Sequence, residues 1–123
     1  MARAEHDLQT ACVAWFRYQH PHLLLFSIPN GAWLHGLTPR QRYAQWAKLK
    51  AEGARPGVAD LFLAVSTSRG GGLFIEMKAG KGKQTQEQVE FERVVRVAGY
   101  GYVVCRSLDE FIEAVEEWRA DAV

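Results

Sequence analysis

The stretch Leu73-Phe74-Ile75-Glu76-Met77-Lys78 is an apolar run that gains an acid and a base only toward its end. Alternate side chains of a strand face opposite ways, so Phe74, Glu76 and Lys78 share one side while Ile75 and Met77 share the other. The acid and the base are therefore neighbours. Just upstream, Leu61 to Val65 reads as a strand and Ser66 to Gly72 as a hairpin loop, which makes Leu73 to Lys78 the partner strand. Asp60 lies at the mouth of the first strand, and the hairpin can bring its carboxylate near Glu76.

Near the start of the chain, Leu8, Ala11, Cys12, Trp15 and Phe16 recur at helical spacing and predict a first helix from about Glu5 to His20, stopped by Pro21. Glu5 heads the buried stripe of that helix, since steps of three, seven and eleven residues lead to Leu8, Cys12 and Phe16. His22 to Ile28 reads as a strand closed by the turn Pro29-Asn30-Gly31. Thr38-Pro39-Arg40-Gln41 combines a cap, a proline at the first helical position and a Gln three after the cap, so a second helix is expected from there to Glu52. Thr85-Gln86-Glu87-Gln88 is another capping box, and Phe91, Val94, Val95 and Ala98 carry its helix to Gly99. Tyr102 to Cys105 is a fourth strand, and Ser107-Leu108-Asp109-Glu110 caps a last helix whose Phe111, Ile112, Val115 and Trp118 can cover the sheet. This alternation predicts an α/β fold with a mixed sheet sandwiched by helices. Ser66 to Gly72 and Ala79 to Lys83 read as flexible connections.

The chain has 123 residues with 48% hydrophobic content, which is enough for one core, and residues 1–123 are expected to form a single domain. No apolar run is long enough for a membrane span and Met1 to Thr10 mixes charges, so a cytoplasmic protein without a membrane partner is expected. The two cysteines, Cys12 and Cys105, lie in apolar stretches and read as buried free thiols. His6, His20, His22 and His35 do not combine with them at zinc spacing. The net charge of +1 hides an asymmetry, because residues 1–83 carry 11 basic against 5 acidic side chains and residues 84–123 carry 4 against 9. A polyanion would meet the first two thirds. The helix after Thr38 mixes Arg40, Arg42, Lys48 and Lys50 with Tyr43 and Trp46, which suits phosphates and sugars as well as it suits a solvated surface.

Two carboxylates held together in an apolar setting repel each other, and a hard divalent cation with oxygen ligands relieves the repulsion. Mg²⁺ fits best, with Mn²⁺ as an equivalent. Such a cation polarises a phosphoryl oxygen and acidifies its water, and a neighbouring lysine orients that water or stabilises developing charge. A Glu-x-Lys triplet alone is equally an ordinary charged pair on a strand. The context favours the catalytic reading, since a second acid opens the paired strand and a Gly/Lys-rich loop leads into a capped helix beginning with glutamines. Gly80-Lys81-Gly82-Lys83 is not a nucleotide-binding loop, because Gln84 stands where Ser or Thr is needed. Lys81 and Lys83 instead suit the backbone phosphates of a polyanion.

In order along the chain stand Glu5, Ile28-Pro29-Asn30-Gly31, Lys50-Ala51-Glu52-Gly53, Gly57-Val58-Ala59-Asp60-Leu61, Phe74-Ile75-Glu76-Met77-Lys78, Thr85-Gln86-Glu87-Gln88 and Gly99. As a set they resemble the VRR-NUC family, a branch of the PD-(D/E)xK nuclease superfamily. The resemblance implies a restriction-endonuclease-like fold, an αβββαβ core here with an extra helix inserted after the first strand. It also implies that Asp60 and Glu76 bind the catalytic metal, that the Met77 carbonyl adds a backbone ligand, and that Lys78 is the catalytic lysine. Glu5 and Gln88 match the family's accessory acid and helix glutamine, although Glu5 also reads as an acid favoured by a helix N-terminus and Gln88 as a local cap. Ala59 replaces the proline usual before the aspartate, a change of stiffness and not of ligands.

By resemblance the chain is expected to be an endonuclease acting on branched DNA such as four-way (Holliday) junctions, as a homodimer of the stand-alone phage type. A nickase or restriction-type nuclease, or a DNA-binding module without cleavage, are the alternatives. Trp33 and Trp46 are candidates for the dimer interface or for the core of the insert.

Overall fold

The computed structural model describes residues 3–29 and 36–122. Helix α1 (Arg3–Gln19) buries Cys12 and Phe16, with Leu8 packed beside them, as the spacing requires. After it the chain turns over Pro21, held by bonds from the His20 N–H to the Phe16 carbonyl and from the Leu23 N–H to the His20 carbonyl. That turn consumes the start of the predicted strand, so β1 spans only Leu25–Ser27. The pairing runs one step further at each end, through the Ala64 N–H to the Leu24 carbonyl and the Ile28 N–H to the Asp60 carbonyl. The turn residues Asn30 and Gly31, together with Trp33, lie outside the described residues.

Helix α2 (Pro39–Ala51) begins at the Thr38 box, with both reciprocal bonds made. Strand β2 (Leu61–Leu63) is shorter than expected because the Val65 N–H turns back onto the Leu63 carbonyl, two residues before it. β3 (Leu73–Met77), α3 (Gln86–Val97), β4 (Gly101–Cys105) and α4 (Leu108–Ala120) lie within a residue or two of the bounds expected from the sequence. At α4 the expected box is half made. The Ser107 hydroxyl accepts from the Glu110 N–H, but the Glu110 carboxylate takes the Arg106 N–H instead of that of Ser107.

The four strands form one sheet in the order β1-β2-β3-β4, with β1 antiparallel to β2, β2 antiparallel to β3, and β3 parallel to β4. The parallel pair requires a crossover, and α3 supplies it. One face of the sheet carries the main core, in which Leu61, Leu63, Leu73, Ile75, Met77 and Cys105 meet Cys12 and Phe16 of α1 and Phe111, Val115 and Trp118 of α4. The other face packs Phe91 and Val95 of α3 on Ala59 and Tyr102, flanked by Phe74. β3 is thus covered on both sides, which explains why its sequence is so largely apolar. Cys12 and Cys105 are free and buried, and burial pushes their thiols up to about 11 and about 12.

Both stretches expected to be flexible are pinned. In 66–72, the Ser68 N–H bonds the Asp121 carbonyl and the Gly71 N–H bonds the Gly99 carbonyl. In 79–83, Arg106 holds the Gly80 and Gly82 carbonyls. Among the described residues, no helix is long and apolar enough to cross a membrane.

Candidate active site

The antiparallel register that pairs Leu61 with Ile75 places Asp60 and Glu76 opposite one another, one step further toward the sheet's end. Asp60 is fixed there by accepting the Met77 N–H on Oδ2 at 2.7 Å. The ladder continues through Lys78, whose N–H bonds the Cys105 carbonyl. Asp60, Glu76 and Lys78 are 4%, 2% and 8% exposed, and among the described residues they are the only buried charged side chains. Burying charge is costly unless something compensates it. Three such residues on two adjoining strands therefore call for a reason beyond folding.

Glu76 bears the strain most clearly. Burial pushes its carboxyl up to about 9, the facing Asp60 carboxyl pushes the same way, Lys78 opposes them, and Glu5 adds a smaller upward push. Glu76 Oε2 accepts from Gln88 Nε2 at 3.1 Å, while buried Oε1 has no donor. The facing group, Asp60, is itself an acceptor when ionised. Two such carboxylates coexist by sharing a proton or by sharing a cation. An undonated carboxylate oxygen within an all-oxygen donor set is what a hard divalent cation would use, so the residues present fit one.

Gln88 has two duties. Its Oε1 accepts the Thr85 N–H at 2.8 Å, closing the cap, and the amide's other end reaches Glu76. The same side chain thus closes the local cap and reaches Glu76. The α3 N-terminus is held at this distance by Gly57, with φ +84, where an added Cβ would lie 2.4 Å from the Glu87 carbonyl carbon and 2.8 Å from the Gln88 nitrogen. Only glycine allows that backbone to touch the helix start.

A cleft of about 340 Å³ opens over the acids and Lys78, and Glu5, Trp46, Arg55, Gly57, Thr85, Glu87 and Gln88 also line it. Glu5 thus shares the cleft. It does not complete a three-carboxylate cluster, for among the described residues no group of three His, Cys, Asp or Glu side chains is placed to hold a metal ion. Trp46, expected in the insert's core or at a dimer interface, lies on the cleft wall. Arg40, Arg42, Lys48, Lys50, Lys81 and Lys83 are exposed and none lines the cleft. The four on α2 do not form one face. Arg42 and Lys50 stand about one turn to either side of Trp46, at i−4 and i+4, whereas Arg40 and Lys48 project from other sides.

Sequence reasoning missed Arg106. Its Nη1 reaches the Gly80 carbonyl at 3.0 Å and the Gly82 carbonyl at 2.6 Å, fixing the loop that carries Lys81. An arginine just after a strand carries no periodic signal, so only the folded loop could identify its role.

A buried acid–acid–lysine set at the end of an antiparallel pair, braced by a glutamine from a crossover helix, can be compared with known proteins. The VRR-NUC domain family model matches residues 3–109. The chain belongs to the VRR-NUC family. A solved structure described as a VRR_NUC domain protein superposes with a TM-score of 0.78 at 22% identity, covering 99% of this chain and 93% of that one. No curated protein matches the chain significantly in sequence. The VRR-NUC assignment and the superposition agree with the mixed sheet and its helices, and the fold is restriction-endonuclease-like. Membership in the VRR-NUC family implies a nuclease-type function in DNA processing.

Proposed function

We propose that this chain is a metal-dependent, structure-selective endonuclease that hydrolyses phosphodiester bonds in branched DNA, including four-way junctions. The observation that carries the reading is the buried Asp60–Glu76 pair beside buried Lys78, with Glu76 Oε1 lacking a donor. Asp60 and Glu76 would hold Mg²⁺ or Mn²⁺ with the Met77 carbonyl, which lies between Glu76 and Lys78 in the chain. When bound, the cation supplies Lewis-acid polarisation of the scissile phosphate and eases deprotonation of the attacking water.

The chain's own residues do the rest. Asp60 and Glu76 would present their carboxylate oxygens to the cation, and Gln88 keeps the Glu76 carboxyl turned toward Asp60. Lys78 presents a buried ammonium to the charge that grows on the phosphate oxygens as the water oxygen bonds to phosphorus and the P–O bond to the leaving strand breaks. Glu5, on the cleft wall, acts through solvent in aligning that water. Lys81, Lys83 and the basic residues of α2 hold backbone phosphates without reading bases.

Symmetric resolution of a four-way junction requires two cuts, and a twofold dimer would place two copies of the site on one DNA-facing surface. Light scattering should then give twice the 13.9 kDa chain mass. The decisive experiment incubates the purified protein with labelled four-way junction, flap and linear duplex, with and without Mg²⁺ or Mn²⁺. Junction cleavage that requires metal and disappears in Asp60→Asn and Glu76→Gln is expected, with DNA binding retained by both variants. Full activity in either variant would remove the proposed site. Lys78→Ala should keep its metal affinity by calorimetry and lose about a hundredfold or more in rate.

A further inference from the structure

The described tryptophans have different surroundings. Trp118 is buried and donates Nε1 to the Val65 carbonyl at 2.8 Å, and Trp15 packs edge-on to Phe111 beside the main core. Trp46 joins neither hydrophobic cluster. It has no ring partner among the described aromatic contacts, and α2, which carries it, buries no residue. A large indole outside the described core clusters, half-buried on the wall of the candidate active site, can meet something that enters the cleft.

The walls restrict what that occupant is. Acidic Glu5, Asp60 and Glu87 line the same cleft, so a phosphate is repelled except near Lys78, Arg55 or a cation. The uncharged face of a nucleobase meets no such repulsion, and a cleft of about 340 Å³ is within the range of small-ligand sites. Arg42 and Lys50, at i−4 and i+4 from Trp46, provide cations on either side for the adjoining backbone.

We propose that Trp46 is a stacking platform for an unpaired nucleobase next to the scissile phosphate, with Arg42 and Lys50 holding the flanking phosphates. The inference rests on the nuclease reading and gives it a substrate class, DNA with an unstacked nucleotide at the cut. A base inside a continuous duplex presents no free face, so Trp46 favours branch points, flaps and single strands over linear duplex.

The test uses Asp60→Asn protein, expected to bind without cutting, and an oligonucleotide containing one 2-aminopurine, offered single-stranded and as blunt duplex. Stacking on indole should quench the single-stranded probe on binding. Adding Trp46→Leu, which keeps apolar volume but offers no aromatic face, should abolish that quench and weaken single-strand affinity about tenfold. Trp46→Phe should restore most of both, and duplex affinity should change little. Equal quench and affinity with and without Trp46→Leu would overturn the proposal, as would failure of the Asp60→Asn protein to bind the single strand. Cleavage by wild-type protein on the same DNAs separates the two readings. Metal-dependent cutting unaffected by Trp46→Leu leaves the nuclease and removes the platform, whereas a Trp46-dependent quench with no cutting in any metal leaves the platform and removes the nuclease.

Discussion

Two helices of this chain begin with the same device and serve different ends. Thr38 and Gln41 at α2, and Thr85 and Gln88 at α3, make reciprocal cap bonds that agree within about 0.1 Å. In sequence and local geometry the boxes are equivalent. Yet among the described residues Gln41, which is exposed, only caps, while Gln88 also holds Glu76. The difference lies below the cap. α3 buries Phe91 and Val95 against the sheet and so brings its first turn to the acids, whereas α2 buries nothing. A local motif becomes part of a site when packing delivers it there.

Disturbing that delivery should have the strongest consequence. Gly57→Ala meets both a left-handed backbone and the α3 start, and should cost roughly 3 kcal/mol or more and lower cleavage at least as far as losing Gln88 does, since Gln88 is forced from Glu76. Gly53→Ala, at φ +107 after α2 with nothing within 4 Å, should cost only about 1–2 kcal/mol and spare the rate. Urea titration and a cleavage assay on both variants compare the two helices directly, and equal costs would erase the contrast.

The glutamines come next. Gln88→Ala should lower cleavage about 10- to 100-fold, as loss of a group orienting a ligand does, while Gln41→Ala leaves the rate near wild type. Both lose one cap bond and Gln88→Ala also loses the bond to buried Glu76, so its melting temperature should fall the further of the two. Matching rates in the two variants would return Gln88 to a capping role alone.

A pH titration extends the contrast to stability, through the acid that α3 reaches and α2 does not. Glu76 holds its proton to about 9 in the fold against 4.5 in the open chain. Between those values the unfolded chain has released a proton that the folded chain keeps, so stability present below about 4.5 is lost as pH rises toward about 9. Metal-free protein should therefore melt at least about 5 °C lower at pH 8 than at pH 5 relative to Glu76→Gln. Mg²⁺ should recover most of the difference at pH 8. Parallel melting profiles for the two proteins would contradict the buried-acid account.

The weakest effects belong to the surface of α2. Replacing Arg40, Arg42, Lys48 and Lys50 one at a time should alter stability by less than about 0.5 kcal/mol. Each lost phosphate contact should reduce the salt slope of DNA affinity by about 1. Arg42 and Lys50 should matter more for a branched substrate than Arg40 and Lys48, and four equal slopes would mean that α2 is an undifferentiated basic surface.

Much of this molecule is legible in residue order. Apolar spacing places three helices and four strands, Thr-x-x-Gln places the starts of α2 and α3, and alternation on β3 puts Glu76 beside Lys78. Strand lengths are less legible, because the turn over Pro21 and the Val65–Leu63 bond end pairing within runs that remain apolar. The two connections that suggest flexibility are rich in Gly, Ser and Lys, and composition does not reveal the Asp121, Gly99 and Arg106 partners that fix them.

Residue order alone set the elements and the chemical types at the site, because periodicity and capping act over a few residues. Which of those residues meet was left to the packed fold. Antiparallel register aligned Asp60 with Glu76, the α3 crossover brought Gln88 to their side, Gly57 set how closely it approached, and Trp46 was left on the cleft wall outside both cores. These contacts join residues far apart in the chain, and their distances depend on how the layers pack.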